Sequence, residues 1–229
     1  MNRYVISAHY DMLRGPLGFL RFAPVVMIGL ADVGEGLQIR LDKPGGFEHE
    51  GELVVNLVGG GVRLYSIVFT LGQSGAQRIA YIGGLQGLHS PDALKIYRAL
   101  THRMHGLRPR DLLVSAFRSL CCALGVGRIL AVTDAKRVST NAYFTSSSQV
   151  HTSYDSAWTE NGGRAAHDGF IELCPQREQR AAEDIPARKR AQYRRRYALI
   201  DALAKQIEQR VHDLGWPDAT SLANDIDDA

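Results

Sequence analysis

The chain has 229 residues, 45% hydrophobic and 22% charged, with 27 Lys and Arg against 24 Asp and Glu. That length buries a core unaided and that composition excludes wholesale disorder, while a formal net charge of +3 is too small to imply nucleic acid by itself. Three cysteines, Cys121, Cys122 and Cys174, make neither a disulfide framework nor a zinc pattern, and the eight histidines have no ligand spacing on a helix, so no metal and no tightly bound cofactor is expected.

In chain order, the amino terminus lacks the unbroken apolar core of a leader, and the apolar stretch 16–30 is broken by Arg21 and Pro24. The expectation is a cytoplasmic protein without a transmembrane segment, with peripheral contact to a bilayer left open. A single domain is read: an N-terminal helical and apolar segment at 1–35, a mixed-sheet core at 36–180, a basic amphipathic helix at 186–215 and an acidic tail at 217–229. Within the core, a strand at 37–41 exits through Pro44-Gly45-Gly46. Strands at 52–58, 63–71 and 77–82, joined by glycine-rich turns, form an antiparallel meander. The segment Gly83-Gly84-Leu85-Gln86-Gly87 reads as a turn whose bare amides can meet a phosphate or carbonyl.

Ser90-Pro91-Asp92 reads as a helix start with Ser90 as its cap, and Gly106 ends that helix. A second helix runs from Pro109 with Leu113, Ala116, Phe117, Leu120 and Leu124 on one face. The apolar run 129–132 is a strand covered on both faces, parallel to its neighbour through the helical crossover. Residues 133–168 are polar and aromatic, with Ser146-Ser147-Ser148 as a loop, and 169–173 is a last strand. From Pro186 a long helix carries Tyr193, Tyr197, Ile200, Leu203, Ile207, Val211 and Leu214 on a stripe. The fold class is α/β (α+β): a mixed sheet with an antiparallel meander, then a crossover to a buried parallel strand, and a long C-terminal helix.

Six blocks carry a family resemblance. They are Ile82-Gly83-Gly84-Leu85-Gln86-Gly87, His105-Gly106-Leu107-Arg108-Pro109-Arg110-Asp111-Leu112-Leu113, Arg128-Ile129-Leu130-Ala131-Val132, Tyr154-Asp155-Ser156-Ala157-Trp158, Asp168-Gly169-Phe170 and Lys189-Arg190-Ala191-Gln192-Tyr193-Arg194-Arg195-Arg196-Tyr197. In this order the chain resembles the VirK/YbjX family of Gram-negative bacteria. That resemblance implies links to virulence and to resistance against cationic antimicrobial peptides, and no settled reaction. The meander, glycine turn, helix and buried strand are also similar to the GNAT acyltransferase superfamily, where a Gln/Arg-x-x-Gly-x-Gly/Ala loop holds the pyrophosphate of coenzyme A. Here Gln86 falls inside the glycine cluster instead of ahead of it, and an extra helix precedes the next strand.

The GNAT resemblance implies transfer of an acyl or aminoacyl group to an amine or hydroxyl, with acyl-CoA or aminoacyl-tRNA as an anionic co-substrate. Gly83, Gly84, Gln86, Gly87 and the Ser90 helix start are the donor-binding candidates, with Arg108 and Arg110 suited to anions at the second helix start. Asn141, Tyr143, Tyr154, Asp155 and Trp158 are candidates to line a cleft after the parallel strand. Asp155 or His89 accepts a proton in this reading, and Tyr154 or Tyr143 donates one. Set against these roles, the glycines can be a tight turn or bulge, the arginines paired surface residues, Asp155 a helix cap and Trp158 a core residue. Arg188, Lys189, Arg190, Arg194, Arg195 and Arg196 are the candidates for phosphate backbones or anionic lipid heads. The rival reading is a non-enzymatic virulence or envelope-stress protein that uses this basic helix to bind anionic lipid or nucleic acid, including at the inner membrane. Oligomeric state is left open.

Overall fold

The computed structural model describes residues 24–137, 153–166 and 169–215. The described strands are β1 (Val25–Gly29), β2 (Gln38–Asp42), β3 (Leu53–Gly59), β4 (Val62–Ser74), β5 (Gln77–Gly87), β6 (Val126–Val132), β7 (Arg164–Ala165) and β8 (Phe170–Leu173). The described α-helices are α1 (Ala93–Arg103), α2 (Pro109–Ala123), α3 (Tyr154–Glu160) and α4 (Arg190–Asp213). The strands form one mixed sheet in the order β1-β2-β3-β4-β5-β6-β8-β7. From β1 to β5 every neighbour is antiparallel, as alternating side chains and short glycine turns require. α1 and α2 then carry the chain across to β6, which lies parallel to β5. β8 returns antiparallel to β6, and the short β7 closes that side.

α2 lies beneath β3, β4 and β6. Leu112, Leu113, Ala116, Phe117 and Leu120 are buried there, and Phe117 meets Phe69 edge-on with ring centroids 4.9 Å apart. Emptying this position should hurt: Phe117→Ala is expected to cost about 3–5 kcal/mol, read as a lower urea midpoint at unchanged slope. α4 packs on α2 and β1 through Ile200, Leu203, Ile207 and Val211, the four buried positions of its stripe. Cys121 is buried and Cys122 exposed, so the adjacent pair straddles the two sides of α2. None of the described helices is long and apolar enough to cross a membrane.

Three readings are corrected. Residues 25–29 of the segment read as helical are a strand, because Val25, Val26 and Ile28 are β-branched and find partners along β2. The second strand of the hairpin does not stop at Ile82: β5 continues to Gly87, still paired with β4. The first crossover helix begins at Ala93 with Asp92 as its cap, not at Ser90. The Ser90 hydroxyl accepts the Asp92 N–H at 3.2 Å and the Ser90 carbonyl accepts the Ala93 N–H at 3.1 Å, which closes a separate turn first. The Ser146-Ser147-Ser148 loop, residues 1–23 and the acidic tail 217–229 lie outside the described residues.

Candidate functional site at the end of β5

Residues 83–87 are the portion of β5 that β6 leaves behind. The parallel ladder runs from Arg78 opposite Val126 to Ile82 opposite Ala131 and goes no further. On the other side, Val68 faces Gly84 and Phe69 faces Ile82, so Gly83 is the extra residue of a β-bulge. The bulge has a local cause. A Cβ on Gly83 would overlap the Glu50 carbonyl oxygen, and one on Gly84 would overlap the Glu50 carboxylate. A Cβ on Gly51 would meet the Phe69 carbonyl oxygen at 2.8 Å. These glycines therefore admit the loop that ends at Gly51 onto the sheet, and do not lay a row of amides open to a ligand.

Around that contact the polar groups converge. The Leu85 N–H donates to the Tyr154 hydroxyl at 2.9 Å, and Gln86 Nε2 donates to the same oxygen at 3.2 Å and to Glu50 Oε1 at 2.8 Å. The other carboxyl oxygen, Oε2, is buried without a hydrogen-bond partner among the described residues. Burial pushes the Glu50 carboxyl above the usual carboxylate range, against the opposing pull of the Gln86 hydrogen bond and the Arg137 charge. Arg137 stacks on the Tyr154 ring at 3.7 Å from its centroid. Burial and the nearby Glu50 charge also raise the Tyr154 phenol, which keeps its proton on. Next in the same row across the sheet are Ser66, opposite Gln86, and Asn56, opposite Ser66. Both are buried, and the Ser66 hydroxyl donates to Asn56 Oδ1 at 2.6 Å.

Tyr154 is the first residue of α3 and is held from behind. The Asp134 carboxylate accepts the Ser153 hydroxyl at 2.6 Å and the Tyr154 N–H at 2.9 Å, while Asp155 accepts the Asp134 N–H at 3.0 Å. Asp155, a candidate proton acceptor, thus serves as one half of a reciprocal helix cap. Trp158, fully buried, donates its indole N–H to the Val132 carbonyl at 3.0 Å and pins α3 to the end of β6. Burial raises the Asp134 carboxyl, but hydrogen bonds from Ser153, Tyr154 and Asp155 outweigh it and leave its pKa lowered. The stability this contributes is present at neutral pH and lost as pH falls through that lowered value, below the ordinary 3.8. Asp134→Ala is expected to cost about 1 kcal/mol at pH 7 and to flatten the acid limb of the stability curve in urea titrations.

A cleft of about 1060 Å³ opens beside the tip of β5, lined by residues of α1, the start of α2, the start of α3 and the start of α4. Tyr65, the partner of Gly87 in the ladder, and Tyr97 line it with ring centroids 4.9 Å apart. Tyr97 accepts the Leu88 N–H at 2.6 Å and donates to the Leu64 carbonyl at 2.8 Å, and burial pushes its phenol up to about 12. Arg108, Arg110, Ser153, Ser156, Arg98, His102, His105, Gln192 and Arg195 also face this cleft. Arg108 bonds Asp111 at 2.7 Å and Glu160 at 2.6 Å, and Arg110 bonds the same two carboxylates. Both arginines thus share their charge with Asp111 and Glu160 within the protein, Arg108 half exposed and Arg110 largely covered.

The remaining candidates scatter. His89 is exposed and Ser90 closes its turn without reaching Glu50 or Tyr154, and Asn141 and Tyr143 lie outside the described residues. In the basic segment, Arg190 is spent on the Ile185 carbonyl and Arg196 on the His105 carbonyl and the Tyr193 ring. Arg188, Lys189, Arg194 and Arg195 are exposed. Glu50, Ser66, Asn56 and Arg98 were not signalled by any motif. Among the described residues no three His, Cys, Asp or Glu side chains gather to hold a metal.

Comparison with known proteins agrees with the motif blocks. The chain is 30% identical over 148 residues to the uncharacterized protein YbjX of Escherichia coli K12, covering 64% of this chain and 45% of that protein. Two uncharacterized proteins of Haemophilus influenzae Rd are 35% identical over 130 residues and 33% identical over 132, covering 57% and 56% of this chain and 43% of each relative. The chain thus spans less than half the length of these relatives. No solved structure matches it. Residues 4–209 match the family model described as "Protein of unknown function (DUF535)", and the chain belongs to that family, the VirK/YbjX family of its motif blocks.

Proposed function

We propose that this protein transfers an acyl or aminoacyl group from an anionic donor, a coenzyme A thioester or an aminoacyl-tRNA ester, to an amine or hydroxyl acceptor. The observation that carries this reading is the end of β5 that outruns β6 beyond Ile82 and Ala131, where Tyr154 bonds the Leu85 amide and Glu50 bonds Gln86. Tyr65 and Gly87 place the cleft on one face of the tip of β5, while Gln86, Ser66 and Asn56 place the polar row on the other.

In this reading Glu50 accepts the proton of the attacking amine or hydroxyl, whose lone pair forms the new bond to the acyl carbon. The tetrahedral intermediate collapses with cleavage of the C–S or C–O bond, and Tyr154 gives its proton to the leaving sulfur or oxygen. The Tyr154 oxygen accepts hydrogen bonds from Leu85 and Gln86, which leaves its own O–H to act as a donor. The test is release of free thiol from acyl-CoA, or of amino acid from charged tRNA, with small amine and hydroxyl acceptors supplied. Wild type should turn over and Tyr154→Phe should not; equal rates in the two proteins would sink the reading.

A second reading is favoured by one observation: Arg188, Lys189 and Arg194 are exposed and their side chains make no hydrogen bond or ion pair among the described residues. It makes the helix start a docking surface for anionic lipid or nucleic acid, without chemistry. Co-sedimentation with phosphatidylglycerol vesicles that depends on these three residues, in a protein inactive toward both donors, would favour it.

A further inference from the structure

The three consecutive arginines at the start of α4 have three different situations. Arg196 donates from Nε and Nη2 to the His105 carbonyl at 3.4 and 3.2 Å, which fixes α4 against the loop between α1 and α2. There His105 and Gly106 both adopt positive φ, 54° and 80°, and a Cβ on Gly106 would meet Gln192 Nε2 at 2.7 Å. That close approach, which glycine permits, brings the next residue back along the chain, Arg195, into the lining of the cleft. Arg194 is exposed and lines no part of it. Arg98 of α1 lines the same cleft. Neither Arg98 nor Arg195 makes a hydrogen bond or ion pair among the described residues.

We propose that Arg98 and Arg195 form a two-armed clamp for a phosphate or diphosphate group, with the ligand's apolar body resting against Leu94 and Tyr65. Two planar forks from different elements match an oxyanion with several acceptor oxygens better than a single carboxylate does, which one fork already saturates. His102 and His105 line the same cleft. Leu94 is 66% exposed although its helix has an apolar side to bury, and a volume of about 1060 Å³ holds a nucleotide-sized body as well as its phosphates. This names the groups that hold the donor's charged end in the transfer reading, and it leans on that reading only in calling the ligand a donor.

The experiment is calorimetric titration of the full chain with inorganic pyrophosphate, free coenzyme A and uncharged tRNA, on wild type and on Arg98→Ala, Arg195→Ala and Arg194→Ala. Binding is expected to weaken about tenfold or more in Arg98→Ala and Arg195→Ala, the value of one charge-assisted contact, and to change less than about twofold in Arg194→Ala. All three should melt with the wild type, since none loses a described partner. Tighter binding of coenzyme A than of tRNA identifies a small thioester as the source of the phosphate, and the opposite order identifies a nucleic-acid ester; either supports the clamp. Equal losses in Arg194→Ala and Arg195→Ala would overturn it in favour of diffuse attraction along the helix, and so would a wild type that binds none of the three. Because free coenzyme A and uncharged tRNA cannot react, intact clamp-dependent binding beside absent turnover would sink the transfer chemistry and leave the clamp standing.

Discussion

Glu50→Gln is expected to slow the proposed transfer about a hundredfold or more, the typical worth of a positioned proton acceptor, and to melt no lower than the wild type at pH 7. The two halves of this expected result have one cause. A carboxyl whose folded pKa is raised favours its neutral form in the fold. Its contribution to stability is present below its ordinary 4.5 and is lost as pH rises through the raised value. As pH rises through that raised value the wild type takes on a charge that burial opposes, while glutamine keeps an oxygen for the Gln86 donor and carries none. The melting difference between variant and wild type should therefore grow in the variant's favour between pH 4 and pH 7, which differential scanning calorimetry reads directly. A variant that unfolds earlier at pH 7 would make Glu50 an anchor of its loop and remove it from the chemistry.

The second large effect is on the fold. Gly83→Ala is expected to cost ~3 kcal/mol or more, because the new methyl group overlaps the backbone oxygen of Glu50 and not the tip of a flexible side chain. Relief requires the loop to lift, which also withdraws Glu50 from Gln86. Gly29→Ala is the control, since a Cβ there meets nothing within 4 Å. A urea midpoint for Gly83→Ala equal to that of Gly29→Ala would show that the loop does not sit on the bulge.

The parts of this fold legible in the sequence are those written in local periodicity. The meander follows from the two rows Tyr65, Ile67, Phe69 and Leu71 against Leu64, Ser66, Val68 and Thr70, although β4 turns out buried on both faces from Ser66 to Gly72. The crossover follows from two helical stripes before an apolar run, and β6 is parallel to β5 as that pattern requires. Residues 83–87 read as a turn because Gly-Gly is the usual mark of one. Here the glycines answer a steric demand from Glu50, 33 and 34 positions earlier, which no local window contains. Glu50 itself stands in a loop of charged and glycine residues just before β3, and it reaches Gln86 only through the pairing of β3 with β4 and of β4 with β5. Tyr154 could be singled out because an aromatic with a hydroxyl after a parallel strand is a recognisable type, but its partner Leu85 is a main-chain amide 69 residues away. Among the arginines, composition groups 194–196 together. The turn geometry at His105 and Gly106 separates them.

The tether between Arg196 and the His105 carbonyl joins residues 91 positions apart, and this sets an order of events during synthesis. The eight strands and the crossover are complete in the polypeptide by Leu173, before any of α4 has left the ribosome. Domains form as their elements emerge, so the nascent protein can close its sheet while the recess beside Tyr97 still lacks a wall. That wall, with Gln192 and Arg195, comes only with α4, and a ribosome stalled before Arg190 would display a protein whose proposed clamp has a single arm.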